Sequence, residues 1–134
     1  MKKPGYVLDS YALLAYLQGE PGGLMVKDLL KKAEAGKVLA FLSLINLGEI
    51  IYIIARKRGG EVAKEIQENL LRLPIQLAEV TLDRVMASAH LKARHSISYA
   101  DAFAASLAKE LGGTLVTGDP EFKVVEDQIT VLWV

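Results

Sequence analysis

Strand-like and helix-like segments alternate from one end of the chain to the other, and this order constrains the fold more than any other feature. Tyr6-Val7-Leu8, Val38 to Leu42, Ile75 to Val80, Thr114 to Thr117 and Ile129 to Val134 read as strands. Between them, Tyr11 to Leu17, Leu24 to Ala35, Leu44 to Arg58, Glu61 to Leu73, a segment capped by Thr81 and running to His95, and a segment capped by Ser98 and running to Leu111 read as helices. Gly36, Gly59-Gly60 and Gly112-Gly113 stop helices, and Pro74 ends the one before it, because glycine relieves the C-terminal turn and the residue before proline avoids the helical region. Val38 to Leu42 is apolar on both faces, as in a strand inside a parallel sheet covered by helices. The order predicts a three-layer α/β/α domain with a mainly parallel central sheet. The chain has 134 residues with no repeat, linker or low-complexity stretch, so a single domain over residues 1–134 is expected.

Composition narrows the chemistry. There are no cysteines, which removes disulfides and thiolate metal sites and fits a reducing, cytoplasmic setting. Sixteen basic and sixteen acidic residues give a formal net charge of zero, so there is no global basic excess of the kind that marks a dedicated nucleic-acid binder. Contact with phosphates would fall to local clusters such as Arg56-Lys57-Arg58 and Lys27-Lys31-Lys32, which read equally well as solvated helix faces. Met1-Lys2-Lys3 opens like a leader peptide, but Asp9, Tyr11 and Tyr16 interrupt the apolar stretch that would have to follow. Val38 to Ala55 is long and apolar but contains Asn46, Gly48 and Glu49; it reads as a buried strand followed by a helix, and no membrane association is expected.

Four acids stand where a doubly wound sheet gathers its ligands. Asp9 follows the first strand, and Asp119 follows the fourth in a Thr-Gly-Asp-Pro turn. Asp101 lies in the first turn of the helix capped by Ser98, and Glu49 in the second turn of the helix after the second strand. Strand C-termini and helix N-termini share one edge of such a sheet. Singly, each acid has a plain explanation: Asp9 as a helix cap, Asp101 at capping-box spacing from Ser98, Asp119 as a turn former. Glu49 resists such an explanation, because its helix is apolar on nearly every side and carboxylates are rarely buried without a partner. Asn46, Glu49 and Arg56 fall on one stripe, so the competing reading is a solvated stripe, or a Glu49–Arg56 pair inside the core. Carboxylates brought together repel unless a cation joins them, and an all-oxygen set suits Mg²⁺ or Mn²⁺ better than Zn²⁺.

The same pieces resemble the PIN domain, and within it the VapC-like toxins of type II toxin–antitoxin pairs. The resemblance is carried by Tyr-Val-Leu-Asp-Ser at the start, Ile-Asn-Leu-Gly-Glu-Ile around Glu49, Ser-Tyr-Ala-Asp-Ala around Asp101, and Leu-Val-Thr-Gly-Asp-Pro-Glu-Phe around Asp119. It implies a metal-dependent endoribonuclease that hydrolyses RNA phosphodiester bonds with a metal-activated water. It also implies Asp9, Glu49, Asp101 and Asp119 as catalytic metal-site acids, with Ser10 and Thr117 supporting them; Asn46, on the Glu49 stripe, is added as a supporting residue. Mg²⁺ or Mn²⁺ is the implied cofactor, and a homodimer held inactive by a small VapB-like antitoxin the implied assembly.

Other chemistries fit less well. His90 and His95 are placed on the fifth helix beside Lys92 and Arg94, where cations suit a solvated helix end. No glycine-rich nucleotide cradle is present. A phosphoacceptor receiver domain would need an acidic pair after the first strand and a lysine after a late one, and Asp9-Ser10-Tyr11 and Thr117-Gly118 supply neither. The remaining alternatives are a PIN-like module that binds RNA or a partner without cutting, and an RNA-processing nuclease outside a toxin pair.

Overall fold

The computed structural model describes residues 3–134; Met1 and Lys2, the opening of the leader-like start, lie outside the described residues. In chain order the elements are β1 (Gly5–Leu8), α1 (Ser10–Leu17), α2 (Gly23–Glu34), β2 (Leu39–Ser43), α3 (Leu44–Arg58), α4 (Gly60–Leu70), β3 (Gln76–Ala78), α5 (Leu82–Arg94), α6 (Tyr99–Leu111), β4 (Thr114–Thr117), a 3₁₀ helix (Pro120–Val125) and β5 (Thr130–Trp133). The five strands form one sheet in the order β3-β2-β1-β4-β5, and every pairing in it is parallel. The three-layer expectation holds, and the sheet is parallel throughout.

Alternation along each strand divides the core in two. Leu8, Leu42 and Val116 pack on one face with Leu13, Val26, Ile50, Ile54 and Leu70 of α1 to α4. Val7 and Leu115 pack on the other with α6, Leu91 of α5, and Phe122 and Val125 of the 3₁₀ helix. Both faces are covered, which is why the central strands carry no polar alternation. Each fully buried Leu or Val side chain stabilises by roughly 1.5–3 kcal/mol. On α6, Ala102, Ala104, Ala105 and Ala108 are buried; side chains this small let the helix lie close to the sheet and bring its first turn to the sheet's carboxyl edge.

The chain leaves β1 in one direction for β2 and β3 and returns on its other side for β4 and β5. The crevice at that reversal, between the carboxyl ends of β1 and β4, is where such sheets bind ligands. The pairing continues to its rim, where the Asp9 amide donates to the Val116 carbonyl (3.2 Å) and the Val134 amide to the Thr117 carbonyl (3.0 Å).

Several sequence expectations need correction. Helix α4 stops at Leu70 rather than Leu73, and β3 has three residues rather than six, with only Ala78 buried; an edge strand needs less apolar length than a central one. The stretch after Asp119, read as a turn, continues as a 3₁₀ helix anchored by Phe122 and Val125, both fully buried. Helix α3 is not buried all round, since Leu44, Gly48 and Tyr52, spaced by four, form a solvent-facing stripe. Arg56 is exposed and lies 5.4 Å over the Tyr52 ring, so it does not neutralise Glu49. His95 lies just past the end of α5, where its Nε2 is 2.9 Å from Gln128 Nε2. Among the described residues no helix is long and apolar enough to cross a membrane.

Candidate metal centre

The site begins where β1 ends. Asp9 has extended backbone and caps α1, its Oδ1 accepting from the Ala12 amide at 2.8 Å. Its Oδ2 accepts from the Thr117 hydroxyl at 2.5 Å. Thr117 is the last residue of β4 and is fully buried; its oxygen also accepts from the Asp119 amide at 3.0 Å. One hydroxyl therefore ties the acid after β1 to the acid after β4. Asp119 in turn caps the 3₁₀ helix, its Oδ1 accepting from the Glu121 amide at 2.9 Å, with Pro120 at the first position of that helix.

The other acids arrive on helices. Ser98 caps α6, its hydroxyl accepting from the Asp101 amide at 3.1 Å, which sets Asp101 in the first turn. Ser43 caps α3 through the Ile45 amide at 3.2 Å, which puts Glu49 in the second turn. The Ser10 hydroxyl donates to Glu49 Oε1. The Asn46 amide donates to Ser10 Oγ at 3.3 Å and to the Ala100 carbonyl at 3.2 Å, so one fully buried side chain joins α1, α3 and α6. Asn46 Oδ1 is buried without a hydrogen-bond partner among the described residues.

Electrostatics shows how closely the acids are gathered. Burial pushes the Asp9 carboxyl up to about 7; the Thr117 hydroxyl and the Ala12 amide oppose this, and Asp101 and Asp119 add to it by like-charge repulsion. Burial likewise raises Asp101 to about 6, against the Ser98 hydroxyl and with repulsion from Asp119, Glu49 and Glu121. Oxygens of Asp101, Asp119 and Glu121 all lie within 4.8 Å of one another.

The four acids singled out from sequence thus meet at one edge, with Ser10, Thr117 and Asn46 bonded into the same network. The tightest group, however, contains Glu121, which sequence reading missed. No strand or helix spacing marks it in the sequence; the 3₁₀ helix that follows Asp119 brings it there. Neither His90 nor His95 belongs to the network. Two surface grooves, of about 640 Å³ beside Tyr16 and Leu24 and about 730 Å³ between α5 and α6, are lined by other residues.

This donor set fits a hard divalent cation. All the ligand atoms offered are carboxylate oxygens, the class Mg²⁺ and Mn²⁺ prefer. Burial first and like-charge repulsion second raise the Asp9 and Asp101 carboxyls, a cost that a cation removes.

Residues 6–128 match the family described as PIN domain. Among curated proteins none matches this chain in sequence. Solved structures share the fold. A chain in the crystal structure of VapBC2 from Rickettsia felis, bound to a DNA fragment from its promoter, superposes with a TM-score of 0.77 at 18% identity, covering 97% of this chain and 98% of that one. One in VapBC-1 from nontypeable Haemophilus influenzae gives 0.69 at 16%, covering 96% and 97%. Mycobacterium tuberculosis VapC20, described as a sarcin-ricin loop cleaving toxin, gives 0.69 at 21%, covering 88% and 92%.

Proposed function

The chain belongs to the PIN domain family, and on that premise we propose that it is a Mg²⁺- or Mn²⁺-dependent endoribonuclease, the toxin of a toxin–antitoxin pair. One observation carries the catalytic half of this reading. Asp101, Asp119 and Glu121 converge to within 4.8 Å, with Asp9 and Glu49 repelling Asp101 or being repelled by it in the same field. Such crowding is costly in a metal-free protein and useful in a metal-loaded one.

In this reading Asp9, Asp101, Asp119 and Glu121 hold the cation, and Glu49 completes the acidic wall. When bound, the cation supplies an activated water and stabilises charge on the phosphoryl and leaving oxygens of the RNA. The chain's own residues do the positioning. Thr117 fixes the rotamer of Asp9 and the turn that presents Asp119. Ser10 and Asn46 fix Glu49 against the first turn of α6. The capping hydroxyl of Ser98 holds the backbone from which Asp101 projects. Each carboxylate is thus pre-oriented before substrate arrives, so little reorganisation is needed during the reaction.

The toxin half rests on the neighbours. Those structures are of VapBC complexes and of a sarcin-ricin loop cleaving toxin, and the shared fold extends over nearly the whole chain. A small VapB-like antitoxin, a homodimer and a cytoplasmic setting follow from the same reading. Induced expression in a bacterial host tests it. Wild type should arrest growth and generate new RNA ends, Asp101→Asn should do neither, and co-expression of a small neighbouring reading frame should restore growth. Soluble, folded wild-type protein that leaves both growth and RNA ends unchanged would contradict it.

A further inference from the structure

We propose that Tyr11 is a stacking platform for an unpaired RNA base beside the acid cluster, a role that rests on the ribonuclease reading. The observation behind it is Gly118. Its backbone is not in the left-handed region, unlike Gly19, Gly36, Gly59 and Gly112, so conformation does not demand a glycine there. Space does. A Cβ at Gly118 would lie 2.2 Å from Tyr11 Cε1, 2.9 Å from Tyr11 Cδ1 and 2.8 Å from the Val134 carbonyl oxygen. The missing side chain is a seat for the Tyr11 ring.

That seat lies within the site. Gly118 stands between Thr117, which bonds Asp9, and Asp119, and Tyr11 follows Asp9 by two residues on the first turn of α1. The ring is thus fixed against the backbone next to two of the acids, while Tyr11 remains 45% exposed. Other exposed tyrosines have ring neighbours instead: Tyr52 lies under Arg56, and Tyr99 packs edge-on against Phe103 at 5.1 Å.

The chemistry of the ligand follows. The chain has no net positive charge, and its acids repel phosphates wherever the cation does not shield them. A base π-face on a fixed tyrosine adds affinity for RNA beside the acids without needing a positive charge there. A base inside a duplex has both faces covered by its neighbours, so the platform selects an unpaired one.

The test compares wild type, Tyr11→Phe, Tyr11→Leu and Tyr11→Ala on a single-stranded RNA carrying 2-aminopurine near the cut. Leucine still covers Gly118, which keeps the comparison meaningful if the alanine variant folds poorly. Steady-state cleavage with Mn²⁺ gives kcat and KM, and 2-aminopurine fluorescence in an Asp101→Asn background reports stacking without cleavage. The expected result is quenching for wild type and Tyr11→Phe, loss of quenching for Tyr11→Leu and Tyr11→Ala, and a KM raised about tenfold or more by the last two, with kcat less affected. Wild-type cleavage accompanied by unchanged KM and quenching in Tyr11→Leu overturns the platform alone, as does equal cleavage of fully paired RNA. A wild type that neither cuts nor binds RNA overturns the platform and the ribonuclease reading together.

Discussion

Replacing Asp9 by Asn should stabilise the metal-free protein at high pH and not at low pH. The Asp9 carboxyl is 1% exposed and is pushed from 3.8 to about 7, chiefly by burial. Between those values the native state holds a proton that the unfolded chain has released. Wild-type stability therefore falls as pH rises from about 4 to about 7, by about 4 kcal/mol from this group. Asparagine removes that loss. It keeps an oxygen for the Ala12 amide, but its NH₂ then faces the Thr117 hydroxyl, which loses its acceptor at a cost of about 1–2 kcal/mol. At pH 8 the net gain is about 2–3 kcal/mol, an upward shift in Tm of roughly 5–10 °C for a domain of this size. At pH 5 wild type has already lost about 1–2 kcal/mol through this group, which roughly offsets the lost hydrogen bond, and the two proteins should melt within a few degrees of each other. Thermal scans in EDTA at both pH values measure the crossover, and saturating Mg²⁺ should raise wild type more than the variant. A variant that melts below wild type by the same margin at pH 5 and pH 8 would refute the reasoning that burial, aided by the neighbouring acids, raises this carboxyl, and would leave Asp9 as a helix cap.

Three further outcomes follow from the same geometry. Thr117→Val leaves Asp9 Oδ2 and the Asp119 amide without their shared partner; urea unfolding should show a loss of about 2–4 kcal/mol, and cleavage should fall with it. Glu121→Gln alters an exposed side chain, so stability should stay within about 0.5 kcal/mol, while Mn²⁺ affinity followed by electron paramagnetic resonance should drop about tenfold. Phe122→Ala empties a fully buried position and should cost about 3–5 kcal/mol, loosening the segment that carries Asp119 and Glu121 so that metal affinity falls as well.

What the sequence discloses depends on whether a residue's place follows from a local rule. Asp9 and Asp119 were legible because each follows a strand whose pattern is plain, and parallel strands share an edge. Asp101 was legible because Ser98 announces the start of its helix. Glu49 was reached by an argument that proved only partly sound. Its helix exposes Leu44, Gly48 and Tyr52, and Glu49 is held by Ser10 rather than by Arg56. The partner is remote in sequence, and helical spacing points only to residues on the same helix. Glu121 was not legible, since two residues apart in a turn is neither strand nor helix spacing; only the 3₁₀ geometry after Asp119 swings it toward Asp101. Phe122 and Val125 were hidden for the same reason, a short 3₁₀ segment having no period long enough to recognise. The Tyr11 seat needed coordinates, because a glycine chosen for space looks in sequence like a glycine chosen for a turn.

The most direct measurement is cleavage of an end-labelled single-stranded RNA pool by purified protein with Mn²⁺, with Mg²⁺ and with EDTA, wild type beside Asp9→Asn. Cleavage by wild type in either metal, abolished by EDTA and absent in folded Asp9→Asn, is the predicted result. Cleavage that survives EDTA or the substitution, or no cleavage in either metal by folded wild type, would contradict the assignment of these acids as a metal-dependent ribonuclease centre.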